Sequence, residues 1–167
     1  FKVYENKVGV MTNAPSFDWH ITNLRQYMNA TPVQPISANW SDLELTPLGS
    51  ATGGIGLPGD FSSPSRFVRV AFLRAQILME DIENDGIIEF FHILNNVAMV
   101  KGSVITKDGK DEITQYSSCM NLEKGLYYYK SYNNNQINML DMHKEDLDGS
   151  EMKIFPYNDV QVVNLLN

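Results

Sequence analysis

At 167 residues with 43% hydrophobic side chains, the chain is long enough to bury a core of its own. Its 13 Lys and Arg stand against 20 Asp and Glu, and the resulting net charge of −7 argues against nucleic acid as a partner. No run approaches the roughly 18 apolar residues of a membrane span, no basic-then-apolar leader opens the chain, and one cysteine excludes an internal disulfide.

Residues 2–6 and 8–13 read as two short strands joined by a tight Asn6-Lys7 turn. Ala14-Pro15 ends the second, because Pro cannot donate to a ladder and biases its predecessor to extended geometry. Ser16 can cap a helix whose inward stripe is Phe17, Ile21, Leu24 and Met28. Asn13 is therefore expected at the end of a strand just before a helix, a place suited to a polar group facing a cleft. It could equally hydrogen-bond its own turn, as Asn often does.

Residues 31–52 carry Pro32, Pro35 and Pro47 and little periodicity, which predicts a long loop or arm. Ile36, Trp40, Leu43, Leu45 and Leu48 make it too apolar for disorder, so burial against something is expected. Gly54-Ile55-Gly56-Leu57-Pro58-Gly59 satisfies the G-x-G-x-x-G pattern, but no strand leads into it, Pro58 interrupts it and Asp60 would repel a phosphate. It reads as turn chemistry.

Ser63 and Pro64 read as N-cap and first residue of a helix, with Val68, Ala71, Phe72, Ala75 and Met79 facing inward. Arg66 then falls in the first turn, where the helix dipole disfavours a cation by roughly 0.3–1 kcal/mol. Two explanations stand: an ion pair with Asp60 or another carboxylate, or a cation placed for a site. The residue pattern by itself favours the ion pair.

An acidic break over 80–85 leads to a second helix, with Ile87, Phe90, Phe91, Leu94 and Ala98 on one face and Glu89, His92 and Asn96 off it. The three histidines, His20, His92 and His143, show no metal-ligand spacing, so no metal is expected. From residue 112 the period changes to two. Residues 112–120, 126–132 and 136–142 predict a meander, with a last short strand over 152–155. Cys119 falls in mid-strand and reads as a small buried hydrophobe rather than a catalytic thiol. Asp146-Leu147-Asp148-Gly149 lacks the remaining ligands of a calcium loop.

Three stretches, in order and rough spacing, carry a family resemblance. They are Gly9-Val10-Met11-Thr12-Asn13-Ala14-Pro15 with Phe17-Asp18-Trp19 and Asn23-Leu24; Gly56-Leu57-Pro58-Gly59-Asp60 with Ser62-Ser63-Pro64-Ser65-Arg66-Phe67-Val68-Arg69; and Tyr116-Ser117-Ser118-Cys119 with Gly125-Leu126-Tyr127-Tyr128-Tyr129. Nearly the whole chain resembles the second half of the choloylglycine hydrolases, the group of bile salt hydrolases and penicillin V acylases. The resemblance implies an α+β fold, the C-terminal half of an αββα N-terminal-nucleophile hydrolase sandwich, mainly antiparallel sheet with flanking helices. Residues 1–167 would then be part of one such domain, with 31–52 as an assembly arm reaching neighbouring subunits of a tetramer and Trp40 as its anchor.

In that family a cysteine exposed at the first residue of the mature chain attacks an amide carbonyl, with its own α-amine as base. Phe1 carries no nucleophile, so this chain alone is expected to be inactive and its partner to be the missing N-terminal half, on the same or a separate chain. By resemblance, Asn13 matches the asparagine that binds the tetrahedral intermediate and Arg66 the arginine beside the nucleophile. The substrate implied is a small-molecule amide, with no cofactor and a bacterial cytoplasmic setting; bile salt and penicillin V are not told apart. The rival reading is a stand-alone binding or interaction module that uses the tyrosine-rich meander as its platform.

Overall fold

A computed structural model describes residues 2–79 and 85–167. The acidic break expected over 80–85 lies outside the described residues except for Asp85, where a helix opens. The chain divides into two compact units, Phe1–Glu80 with Asn95–Val97, and Asp81–Leu94 with Ala98–Asn167.

In the first unit, α1 (Phe17–Leu24) starts after Ser16 as expected, although the Ser16 hydroxyl makes no capping bond. Asp18 in its first turn meets Lys2 at 2.8 Å, and this partner holds the carboxyl well below the usual carboxylate range. The longer α2 (Ser63–Gln76) has Ser62 rather than Ser63 at its N-cap position, again without a side-chain capping bond, which places Pro64 second in the helix. Its buried face is Ser65, Phe67, Val68 and Ala71, whereas Ala75 and Met79 of the expected stripe are exposed. Val68 and Ala71 belong to both stripes; Ala75 lies in the last turn and Met79 past the C-cap Ile77, so the buried face sits at the N-terminal part of the helix, where the larger apolar surface of Phe67 joins it.

Val10, Phe17, Phe67 and Ala71 form the core of this unit, flanked by Val8, Ile21, Leu24 and Val70. Phe17 meets Phe67 edge-on, at 6.3 Å between ring centroids and 70° between planes. Met28, expected on the inward stripe of α1, lies past the helix and is exposed. Gly9 sits at φ +65°, and a Cβ there would come within 2.5 Å of the Arg74 guanidinium carbon. Its absence lets Arg74 Nη1 reach the Val8 carbonyl at 3.0 Å.

The two strands expected over 2–6 and 8–13 do not form. A ladder needs a neighbouring backbone, and among the described residues the backbone bonds made here are the local ones from Lys7 to Glu5 and from Gly9 to Asn6. The expected arm does occur, but it contains a hairpin, β1 (Ala38–Trp40) paired antiparallel with β2 (Leu43–Leu45) around Ser41 at φ 55°. Both strands are exposed. Trp40 is 74% accessible, so the burial expected for 31–52 is not found within the described chain. Thr31 donates to the Gly53 carbonyl and closes the base of the arm. The glycine-rich stretch after it folds as turns, with Ile55 bonding back to Thr52 and Leu57 to Gly54.

In the second unit, α3 (Asp85–Asn95) buries Phe91, over which the Lys130 ammonium sits at 5.7 Å. The meander is present in the expected order as β3 (Tyr116–Asn121), β4 (Leu126–Ser131) and β5 (Asn138–Asp141), each pair antiparallel. β3 starts four residues later than the period-two pattern suggested. The strand expected over 152–155 is absent. The tail is tied down by side chains instead: Asn133 Nδ2 donates to Asp159, Asn134 Nδ2 to the Asn158 carbonyl, and Asn135 N–H to Gln161 Oε1. Tyr129 stacks on both Tyr127 and Tyr157, so these rings cover one another.

Phe67→Ala should destabilise the first unit by about 3–5 kcal/mol, the usual cost of emptying a buried aromatic site. Hydrogen exchange of α1 and α2 amides measures it, and protection unchanged from wild type would contradict this account of the core.

Candidate active site

Two polar residues 53 positions apart meet at the start of α2. Arg66 Nη2 donates to Asn13 Oδ1 at 2.8 Å, and Arg66 Nε donates to the Phe61 carbonyl at 3.1 Å. The ion pair considered for Arg66 with Asp60 is not made. Asp60 instead accepts from Ser62 N–H at 2.8 Å and from Ser65 Oγ at 2.6 Å, and these bonds hold its carboxyl down to about 2. Arg69 Nη1 clamps the same turn by donating to the Pro58 and Asp60 carbonyls at 2.9 and 2.6 Å. Among the described residues Arg66 forms no salt bridge.

Asn13 lies on a bend rather than at a strand end, and three consecutive residues there are pinned to the helices. Thr12 Oγ1 shares a hydrogen bond with His20 Nε2 at 3.0 Å, Asn13 meets Arg66, and Ala14 N–H donates to Ser63 Oγ at 3.1 Å. The last contact gives Ser63 its task, since it is not the cap. A guanidinium only donates, so the Asn13 oxygen must face Arg66 and the Asn13 Nδ2 donors must turn away from it. The arrangement offers an outward amide donor beside a fixed cation, with the positive end of α2 behind both.

His20 is the residue that the sequence reading passed over. It is fully buried, its ring lies parallel to Phe67 at 4.4 Å, and Trp19 packs edge-on to it at 5.5 Å. The available signal was position: 17, 20, 21 and 24 share one face of α1, and His20 occupies an apolar site on it. Burial pushes the His20 imidazole below its ordinary value, an effect that the Ala14 backbone only partly offsets.

Cys119 lies in mid-strand opposite Tyr128, and burial pushes its thiol up, away from the reactive range. No group of three or more metal-ligating side chains is assembled among the described residues, and no described helix is long and apolar enough to cross a membrane.

Residues 1–155 match the family model for linear amide C–N hydrolases, choloylglycine hydrolase family. The bile salt hydrolase/transferase of Clostridium perfringens is 53% identical over 99% of this chain and 50% of its own length, and that of Lactiplantibacillus plantarum is 43% identical over 93% and 48%. A crystal structure of the conjugated bile acid hydrolase from Clostridium perfringens, also 53% identical, superposes with a TM-score of 0.90 over 99% of this chain and 50% of that one. Penicillin V acylase from Agrobacterium tumefaciens gives 0.55 at 23% identity over 80% of this chain and 36% of that one, a likeness of fold alone. The chain spans about half the length of the curated relatives it matches. The α+β class and the N-terminal-nucleophile hydrolase fold expected from the sequence both stand.

Because His20 is held below 6.5, its neutral form favours folding. That contribution is full above pH 6.5 and is lost as pH falls toward the depressed folded value, where the unfolded chain takes up a proton first. The His20 ring resonance of the folded chain should therefore titrate with a midpoint below 6.5; a midpoint at or above it would refute the assigned burial.

Proposed function

The chain belongs to the choloylglycine hydrolase family, and we propose that it forms the second half of a cysteine amidase that cleaves non-peptide C–N amide bonds. The observation that carries the proposal is the Arg66–Asn13 contact, which joins the two family-matched site residues at one helix N-terminus. The nucleophile and its α-amine base would come from a first half outside this chain. Support for such a half comes from the share of the relatives that is matched, from the unladdered stretch over 2–13, and from an open apolar groove lined by Val8, Leu24, Leu57, Val68 and Phe72.

In this reading the cysteine thiolate attacks the amide carbonyl carbon and the carbonyl π-pair moves onto oxygen. The Asn13 Nδ2–H group donates to that oxyanion. The C–N bond then breaks as the amine nitrogen takes a proton from the α-ammonium group, and water releases the acyl group from sulfur. Arg66 serves twice, as a positive charge that favours thiolate over thiol and as the acceptor-free neighbour that turns the Asn13 donors outward. Conjugated bile salts are the favoured substrate class, because the relatives at 53% and 43% identity carry that activity in their names. The exposed hairpin with Trp40 would serve as a contact to other subunits, and the setting would be the bacterial cytoplasm.

In the complete protein, with this chain joined to its nucleophilic half, Asn13→Ala should lower kcat by about 10²–10³, or roughly 2.7–4 kcal/mol, with little change in melting temperature. Arg66→Ala should instead raise the pKa of the nucleophile, so that iodoacetamide alkylation slows at neutral pH and recovers in alkali. An unshifted thiol titration beside a large loss of melting temperature would make Arg66 structural. The 167-residue chain by itself should not turn over glycine- or taurine-conjugated bile acids. Sustained turnover by purified chain, abolished by Cys119→Ala, would overturn the assignment of the nucleophile to a separate half.

A further inference from the structure

Asn13 lies on an exposed bend that no ladder supports, yet its donors must point in one direction to bind an oxyanion. Arg66 fixes the far end of its side chain, and the backbone on either side needs its own restraint. On one side Ser63 Oγ holds Ala14 N–H. On the other, the nearest side-chain restraint among the described residues is the hydrogen bond between Thr12 Oγ1 and His20 Nε2, with Asn6 Nδ2 holding the Val10 carbonyl further back.

His20 is an unusual choice for its site. It is fully buried on a face that a Phe or Leu would fill, and its Nδ1 makes no hydrogen bond among the described residues. Burying an unpartnered polar atom is costly, so the residue calls for a reason beyond packing. Two of its contacts supply one. The imidazole bonds to Thr12, the residue before Asn13, and stacks on Phe67, the residue after Arg66, at 4.4 Å and 9°. One buried ring thus spans the neighbours of both candidate site residues.

We propose that Thr12 and His20 form a positioning pair that aims the Asn13 amide at the developing oxyanion, with His20 fixed against the Arg66 helix by its stack on Phe67. Neither residue touches the reacting atoms. The proposal rests on the oxyanion role given to Asn13 above. It differs from a purely structural histidine in one respect: breaking the bond should harm the transition state selectively, leaving ground-state binding and the nucleophile intact.

The test uses the complete protein with the nucleophilic half in place. Thr12→Val and His20→Phe should each lower kcat by about tenfold to a hundredfold with KM unchanged, and the rate of iodoacetamide alkylation should stay at the wild-type value. Thr12→Ser, which keeps the hydroxyl, should restore kcat. The double variant should be no slower than the slower single, because both remove one shared bond. Thr12 is partly exposed, so its variants decide the matter if His20→Phe does not fold. A Thr12→Val enzyme within twofold of wild type, a kcat loss matched by slower alkylation, or fully additive single effects would each overturn the positioning pair. An inactive wild-type protein would instead remove the amidase reading and this inference with it, whereas an active wild type with silent variants removes the inference alone.

Discussion

A guanidinium carries five N–H donors and no acceptor, and the candidate site depends on that asymmetry. A carboxamide has nearly the same shape in either orientation, so Asn13 on a bend could present its oxygen or its nitrogen to a cleft. Arg66 at 2.8 Å resolves the choice, because only the oxygen can face it. The guanidinium is held in turn by the Phe61 carbonyl, and the turn that carries this carbonyl is clamped by Arg69 and by the Asp60 bonds to Ser62 and Ser65. A lysine at position 66 would be one compact charge on a flexible stem and could not span both acceptors in the same way.

Arg66 also runs against a local rule. A cation in the first turn of a helix opposes the dipole by roughly 0.3–1 kcal/mol. Hydrogen bonds from charged donors contribute about 1.5–3 kcal/mol each when well made, which more than offsets that cost. The conflict visible in the sequence thus has its compensation 53 residues away, on a bend that no local pattern connects to the helix. Places where local preference and tertiary arrangement disagree are where sites are expected.

What could be read from the sequence was what local chemistry decides. The start of α1 after Ser16, the start of α2 within one residue of the expected place and the three-strand meander follow from helix-start composition, helical spacing and period two, although neither N-cap hydroxyl makes a capping bond. Residues 2–13 have the composition of strands, but a ladder is a property of two segments and no described segment lies alongside them. The tail after residue 151 has alternating apolar residues too, yet its attachments run through Asn, Gln and Tyr side chains rather than a ladder, which no periodicity reports. His20 was hidden by its type. Its position on α1 was that of a core residue, and a polar name on an apolar face drew attention only to metals.

The Asp60 carboxylate sits two residues before the cap of α2 and bonds to Ser62 and Ser65, the groups that open the helix. Its folded value of about 2 lies under the ordinary 3.8, so the bonds it accepts are fully in force above 3.8 and are lost only as pH falls through about 2. The frame that carries the cation is therefore built from groups that do not change state between neutrality and strong acid. Acid tolerance of the helix start is a by-product of how one helix is begun, and the acid-sensitive group at this corner is instead the buried His20 imidazole, which bonds to Thr12 and stacks on Phe67 and whose ordinary value burial lowers.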